Sequence, residues 1–143
     1  MLRAPGTHGT MTLRWYTVVV DCHDVAAQAE WWRVTLGWQQ VYAADDEVTI
    51  IPPHLLDEAN ADTPWTQQNP GLVFVPVGDD KTVKNRLHID LAPHTSDDRD
   101  AEIARLLERG ATRVDVGQSA SATWDVLADP EGNEFCVLSA RDE

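Results

Sequence analysis

Long apolar runs are missing from this 143-residue chain. No stretch of ~18 apolar residues occurs, so nothing in it reads as a membrane span. Positive charge is scarce: 11 Lys and Arg stand against 24 Asp and Glu, a formal net charge of −13 with histidines neutral. That balance excludes duplex nucleic acid as an expected partner, because binding it needs a basic face to release counterions. It also disfavours an anionic membrane surface. The two cysteines, Cys22 and Cys136, are too few for a disulfide framework, so nothing points to secretion. The N-terminus has no long apolar core with a small-residue cleavage site. A phosphate loop, a dinucleotide glycine fingerprint and a nucleophile elbow are absent too. What remains is the expectation of a cytoplasmic, acidic, globular chain of single-domain length.

Phe and Tyr number only two each, whereas Trp numbers six, at positions 15, 31, 32, 38, 65 and 124. Tryptophan brings a large apolar surface and one N–H to satisfy. Core filling is the ordinary use of each; a group of them lining a ligand cavity is the sharper one.

Residues 1–12 carry Gly, Pro and Thr without period and read as a flexible leader that includes His8; Met11 is an alternative start. Residues 14–21 read as a strand with Tyr16, Val18 and Val20 on one side and Trp15, Thr17, Val19 and Asp21 on the other. Asp24 caps a helix over 25–36 whose apolar stripe is Val25, Ala29, Trp32 and Leu36, and Gly37 ends it. Trp31 and Trp32 are adjacent, so at most one is expected to face the core. Strands follow over 38–43 and 47–51, the latter stopped by Pro52 and Pro53. The polar segment 54–70, with His54 and Trp65, is long enough to be a functional loop. A fourth strand spans 71–77.

The order then repeats. Residues 85–91 alternate, with Leu87, Ile89 and Leu91 expected against a helix and Arg86, His88 and Asp90 on the opposite face. Ser96 or Asp97 caps a helix over 97–109 with core residues Ile103, Leu106 and Leu107, closed by Gly110. Arg99, Arg105, Arg109 and Arg113 read as a solvated face, and His23 and His94 as a turn and a loop residue. Strands over 111–116, 124–128 and 134–139 complete the second half, with a dense turn signal at 129–133. The modules are about 13–77 and 84–140, within one domain of 13–143.

This doubled strand-helix-strand-strand-strand order resembles the vicinal oxygen chelate superfamily, which includes glyoxalase I, extradiol dioxygenases and bleomycin-resistance proteins. The segments that carry the resemblance are DVAAQAEWWRVTLGW at 24–38, LHID at 87–90 and DPEGNEFCVL at 129–138. The last looks most like a glyoxalase-like subgroup common in actinobacteria. The resemblance implies an α+β fold of two βαβββ modules whose curved sheets line a shared cleft. It says less about function, since one fold hosts many chemistries.

In metal-dependent members of that superfamily a His, Gln or Glu ligand comes from each of the first, fourth, fifth and eighth strands, and the ion acts as a Lewis acid. Those positions fall here on Thr17, near Phe74, on His88 and on Cys136. Only His88 matches, so no cofactor is expected at the usual site. The alternative is an atypical divalent metal at His88 and Cys136, completed by Asp90 or His54.

Two functions compete. One is a metal-free small-molecule binder, its ligand touching Trp15, Thr17, His54, Trp65, Arg86, Trp124 and Cys136; flat aromatic or cationic ligands suit such rings and such a charge. The other is a lyase or isomerase acting on a small carbonyl compound, with His88 and Asp90 catalytic, His88 as general base near neutral pH. A purely structural partner has no positive support. A homodimer is expected, because open curved sheets have edges to cover and superfamily members often pair modules within or between chains.

Overall fold

The computed structural model describes residues 12–142. Apart from Thr12, the leader expected over 1–12, including His8 and Met11, lies outside the described residues. Two compact units divide at Val77 and Gly78, each a four-stranded mixed sheet with one helix. None of the described helices is long and apolar enough to cross a membrane.

The first unit runs β1 (Thr17–Cys22), α1 (Val25–Leu36), β2 (Gln39–Ala44), β3 (Glu47–Ile51) and β4 (Gly71–Pro76), in the sheet order β1-β4-β3-β2. β1 lies parallel to β4, and the other pairs are antiparallel. β1 starts three residues later than the sequence suggests. Its partner strand opens at Gly71, opposite Thr17, and the residue before that is Pro70, which has no N–H to extend the ladder. Gly71 itself is dictated by crowding: a Cβ there would sit 2.8 Å from the Ile50 carbonyl oxygen. One face of this sheet carries its main buried apolar side chains. Val48, Ile50, Leu72 and Phe74 are all buried and pack beneath α1.

Asp24 caps α1 by accepting from the Ala27 N–H at 3.1 Å, and Gly37 closes it at φ 67°, a conformation glycine adopts without strain. Both Trp31 and Trp32 are buried, against the expectation of one, with ring centroids 5.1 Å apart in an edge-on arrangement. Two large indoles on neighbouring positions widen the apolar stripe enough for both to reach the core. The segment between β3 and β4 is not an open loop. It holds three short 3-10 turns, Pro53–Leu56, Glu58–Asn60 and Trp65–Gln67.

The second unit runs β5 (Asp90–Leu91), α2 (Arg99–Glu108), β6 (Thr112–Arg113), β7 (Asp125–Ala128) and β8 (Glu134–Val137), in the order β5-β8-β7-β6. The N-cap of α2 is Asp98, whose carboxylate accepts from the Ala101 N–H at 3.1 Å; neither Ser96 nor Asp97 takes that place. Instead, the Ser96 hydroxyl lies 2.7 Å from His94 Nδ1, and Asp97 accepts from the His94 N–H. Arg99 is no solvated residue. It donates to the Val137 and Leu138 carbonyls at 2.8 Å each and pairs with Asp125 at 3.1 Å, so it binds α2 to the end of β8. The 129–133 turn is closed by buried Asp129, which accepts from the N–H groups of Glu131 and Asn133 at 3.0 and 3.1 Å.

β5 is the main departure from expectation. It was expected over 85–91, yet only Asp90 and Leu91 pair, and Leu87 is 90% exposed rather than packed against a helix. The register explains this. Asp90 lies opposite Cys136 in a parallel pair, so position 88 falls opposite the first residue of β8, Glu134. Residues 85–87 run past the start of their partner strand and find no ladder.

Candidate functional site

The face of the second sheet that looks away from Phe135 and Leu127 carries the chemistry. β-strand alternation puts Glu134, Cys136 and Leu138 on one side of β8. Cross-strand pairing sets Cys136 between Asp90 of β5 and Val126 of β7. Together with His88, Lys84, Val116 and Trp124 these residues line a cavity of about 330 Å³.

At its centre His88 Nδ1 lies 3.0 Å from Asp90 Oδ1 and 4.0 Å from Cys136 Sγ. With Nδ1–H donated to the carboxylate, the other ring nitrogen, Nε2, is left as the acceptor and base. His88 and Asp90 are part exposed, at 39% and 44% of their side chains, whereas Cys136 is buried. Burial pushes the Cys136 thiol above its usual range, and the neighbouring Asp90 charge and hydrogen bond push it further the same way. The thiol is therefore no ready nucleophile in this setting. His88 and Asp90 thus share a face as alternation requires, even though the strand that was to impose it is short.

Glu134 was not foreseen as a site residue. It is buried, accepts from Lys81 Nζ at 2.9 Å and from the Asn85 N–H at 3.1 Å. Burial alone would raise its carboxyl; the Lys81 hydrogen bond and the Asn85 N–H outweigh that and hold it below the usual range. The carboxylate thereby pins the 81–85 segment beside the cavity mouth, where Lys84 enters the lining. The signal was available: Glu134 stands two residues before Cys136, hence on the same face.

Of the residues singled out from sequence, His88, Asp90, Trp124 and Cys136 meet at this cavity. Trp124 is 40% exposed there. Arg86 is exposed and is not among the lining residues. Trp15, Thr17, His54 and Trp65 belong to the first unit. Trp15 is exposed, and the Thr17 hydroxyl donates to the Val18 carbonyl. Trp65 is engaged by its own neighbours: the Arg14 guanidinium lies 4.4 Å from its ring centroid, and the Tyr16 ring lies 6.0 Å away, tilted by 33°. Arg14 also donates to the Asn69 carbonyl, and His54 Nε2 meets Asn69 Oδ1 at 3.0 Å.

Comparison with known proteins agrees with this architecture. The family described as a glyoxalase-like domain matches residues 17–138. The chain therefore belongs to the glyoxalase-like family, within the vicinal oxygen chelate superfamily. Among solved structures it is similar to a glyoxalase/bleomycin resistance protein/dioxygenase family enzyme from Burkholderia phytofirmans PsJN, with TM-score 0.63 and 15% identity over 89% of this chain and 98% of that one. It also resembles a possible glyoxalase from Bacillus cereus, with TM-score 0.59 and 14% identity over 89% and 99% of the two chains. A third is a fosfomycin resistance protein variant from Listeria monocytogenes, in complex with Mn(II) and a dihydroxypropylphosphonic acid, with TM-score 0.62 and 10% identity over 91% and 92%. Identities this low speak for fold alone. No curated protein matches the sequence.

The superfamily implies a metal held from four strands, and the residues at those positions do not fit one. Phe74 has no donor atom and is fully buried among Val20 and Val48. Its neighbours on β4, Val73 and Val75, offer none either, so a register shift does not help. Thr17 supplies only a hydroxyl.

Proposed function

We propose that the chain is a small-molecule-binding protein whose ligand sits in the second-unit cavity, against Trp124 and above His88, Asp90 and Cys136. The observation that carries this reading is the convergence of polar groups and one part-exposed indole on a cavity of about 330 Å³. Ligand sites typically span ~300–1,000 Å³, so the cavity is sized for a small metabolite. The formal charge of −13 favours a neutral or cationic ligand through the overall field. Binding is tested by titrating small aromatic cations and small dicarbonyl compounds while following tryptophan fluorescence. Quenching that is lost in Trp124→Phe and weakened in His88→Ala supports the reading; quenching that survives both changes refutes it.

A second reading, proton-transfer catalysis of the lyase or isomerase type, is favoured by one contact. The 3.0 Å bond from His88 Nδ1 to Asp90 leaves Nε2 as a base oriented by a carboxylate. If it operates, Asp90→Asn lowers turnover more than it weakens substrate binding; an equal loss in both would place Asp90 in binding alone.

We take the assembly to be a homodimer. All six residues of β2 are exposed on the sheet edge, Val41 and Tyr42 at 46% and 52%, which a second copy would cover. We further take the setting to be cytoplasmic, in keeping with a chain of only two cysteines.

A further inference from the structure

We propose that the cavity selects a net-neutral zwitterion of the aromatic amino-acid class, with its ring on Trp124, its ammonium on Asp90 and its carboxylate on Lys84. The proposal rests on the reading of this cavity as a small-molecule site and names the class of molecule. Strand register lays the lining out in order. Glu134, Cys136 and Leu138 share one face of the chain along β8, and the step from Glu134 to Leu138 spans about 13 Å. At one end the Asn85 N–H donates to Glu134, which brings Lys84 to the cavity wall beside it. In the middle Asp90 lies opposite Cys136. At the far end the register that sets Asp125 against Val137 carries Trp124 alongside Leu138. A cation, a carboxylate and an indole therefore follow one another along the cavity.

Both charges have capacity for a ligand. Among the described residues no carboxylate pairs with Lys84, whose ammonium donates to the carbonyl of the adjacent Asn85 at 3.2 Å. Glu134 already has its countercharge in Lys81, at 2.9 Å. Asp90 meets His88 through one oxygen at 3.0 Å and stays 44% exposed, and a carboxylate has about four acceptor sites across its two oxygens. Burial holds the Cys136 thiol above its usual range; the Asp90 charge adds to that and the Lys84 ammonium opposes it, so both charges reach the middle of the cavity. With His88 neutral, the lining thus presents one unanswered charge of each sign. A simple anion is repelled by Asp90 and by the overall charge of −13, and a simple cation leaves Lys84 unused. A zwitterion meets both groups and approaches without net charge. Its ring finds an apolar wall in Val116, Val126 and Leu138 beside Trp124.

The experiment is isothermal titration calorimetry of the full chain at pH 7 with L-phenylalanine, with 3-phenylpropionate, which lacks the ammonium, and with phenethylamine, which lacks the carboxylate. L-phenylalanine should bind about fivefold more tightly than either analogue, the factor that one part-exposed ion pair supplies. Lys84→Met should weaken L-phenylalanine and 3-phenylpropionate by about the same factor and leave phenethylamine unchanged, and Lys84→Arg should restore the preference. Asp90→Asn should weaken L-phenylalanine and phenethylamine but not 3-phenylpropionate. Lys84 is exposed, so its variants keep the fold, and circular dichroism checks this for every variant. L-phenylalanine binding no more tightly than either analogue, or Lys84→Met weakening phenethylamine as much as L-phenylalanine, overturns the proposal. Phenethylamine that binds and quenches Trp124 while L-phenylalanine does not leaves the small-molecule reading standing without it; if neither these compounds nor any dicarbonyl binds, both fall.

Discussion

Replacing Glu134 by Gln tests how the cavity is held open. The Glu134 side chain is 9% exposed and accepts from Lys81 Nζ at 2.9 Å and from the Asn85 N–H at 3.1 Å. Glutamine keeps an acceptor for Asn85 but turns an amide toward the ammonium. A hydrogen bond to a charged group contributes about 1.5–3 kcal/mol. Breaking a fully buried pair costs about 3–5 kcal/mol, but Lys81 is 23% exposed and also donates to the Val83 carbonyl, so it rehydrates in part. The expected loss is therefore about 1.5–3 kcal/mol, or roughly 3–12 °C in melting temperature for a chain of this size. Urea unfolding followed by circular dichroism measures it. The pH dependence has a definite sign. Because the folded carboxyl is held below its ordinary value, its contribution is full above the unfolded value of about 4.3 and disappears as pH falls through the folded value. The gap between wild type and Glu134→Gln should thus be full at pH 7 and close in acid. A difference under about 0.5 kcal/mol at pH 7, within the range of ordinary surface changes, or one unchanged by acid, would refute the argument.

Three further outcomes are expected. Asp129→Ala orphans two backbone N–H groups in the 129–133 turn and should cost about 1–3 kcal/mol in urea unfolding. Phe135→Ala, which empties a site 1% exposed on the face away from the cavity, should cost about 3–5 kcal/mol; Trp124→Ala, at a 40% exposed cavity position, should cost far less, and similar costs for the two would contradict the assignment of faces. Light scattering over a wide concentration range should report a dimer, and replacing exposed Val41 and Tyr42 by charged residues should yield monomers; a wild-type monomer throughout removes that reading.

The helices and most strands were legible in the sequence because their signals are local. Asp24 and Gly37 bracket α1, the Pro52-Pro53 stop ends β3, and a short continuous apolar run marks β4. The turn at 129–133 follows from the Asp-Pro-Glu-Gly-Asn chemistry. β5 was overextended for a non-local reason: alternation at 85–91 was genuine, but where the strand ends is decided by where its partner β8 begins. The burial of both Trp31 and Trp32 likewise depends on how large a core α1 covers. At the site, His88, Asp90, Cys136 and Trp124 followed from alternation and from the resemblance. Glu134 was legible by the same alternation from Cys136, but Lys84 was not, because the 81–85 segment is placed by the Asn85 N–H donating to a buried carboxylate 49 residues away in sequence.

The central claim, that the second-unit cavity binds a small molecule, is tested most directly by nuclear magnetic resonance of the isotope-labelled full chain titrated with small aromatic cations and dicarbonyl compounds. The Trp124 indole N–H signal is assigned by its loss in Trp124→Phe. The account predicts saturable shifts at that indole and at the backbone amides of His88, Asp90, Val126 and Cys136, with the same compounds failing to shift them in His88→Ala. Saturable binding that leaves these five signals in place, or no binding by any compound at millimolar concentration, would contradict it.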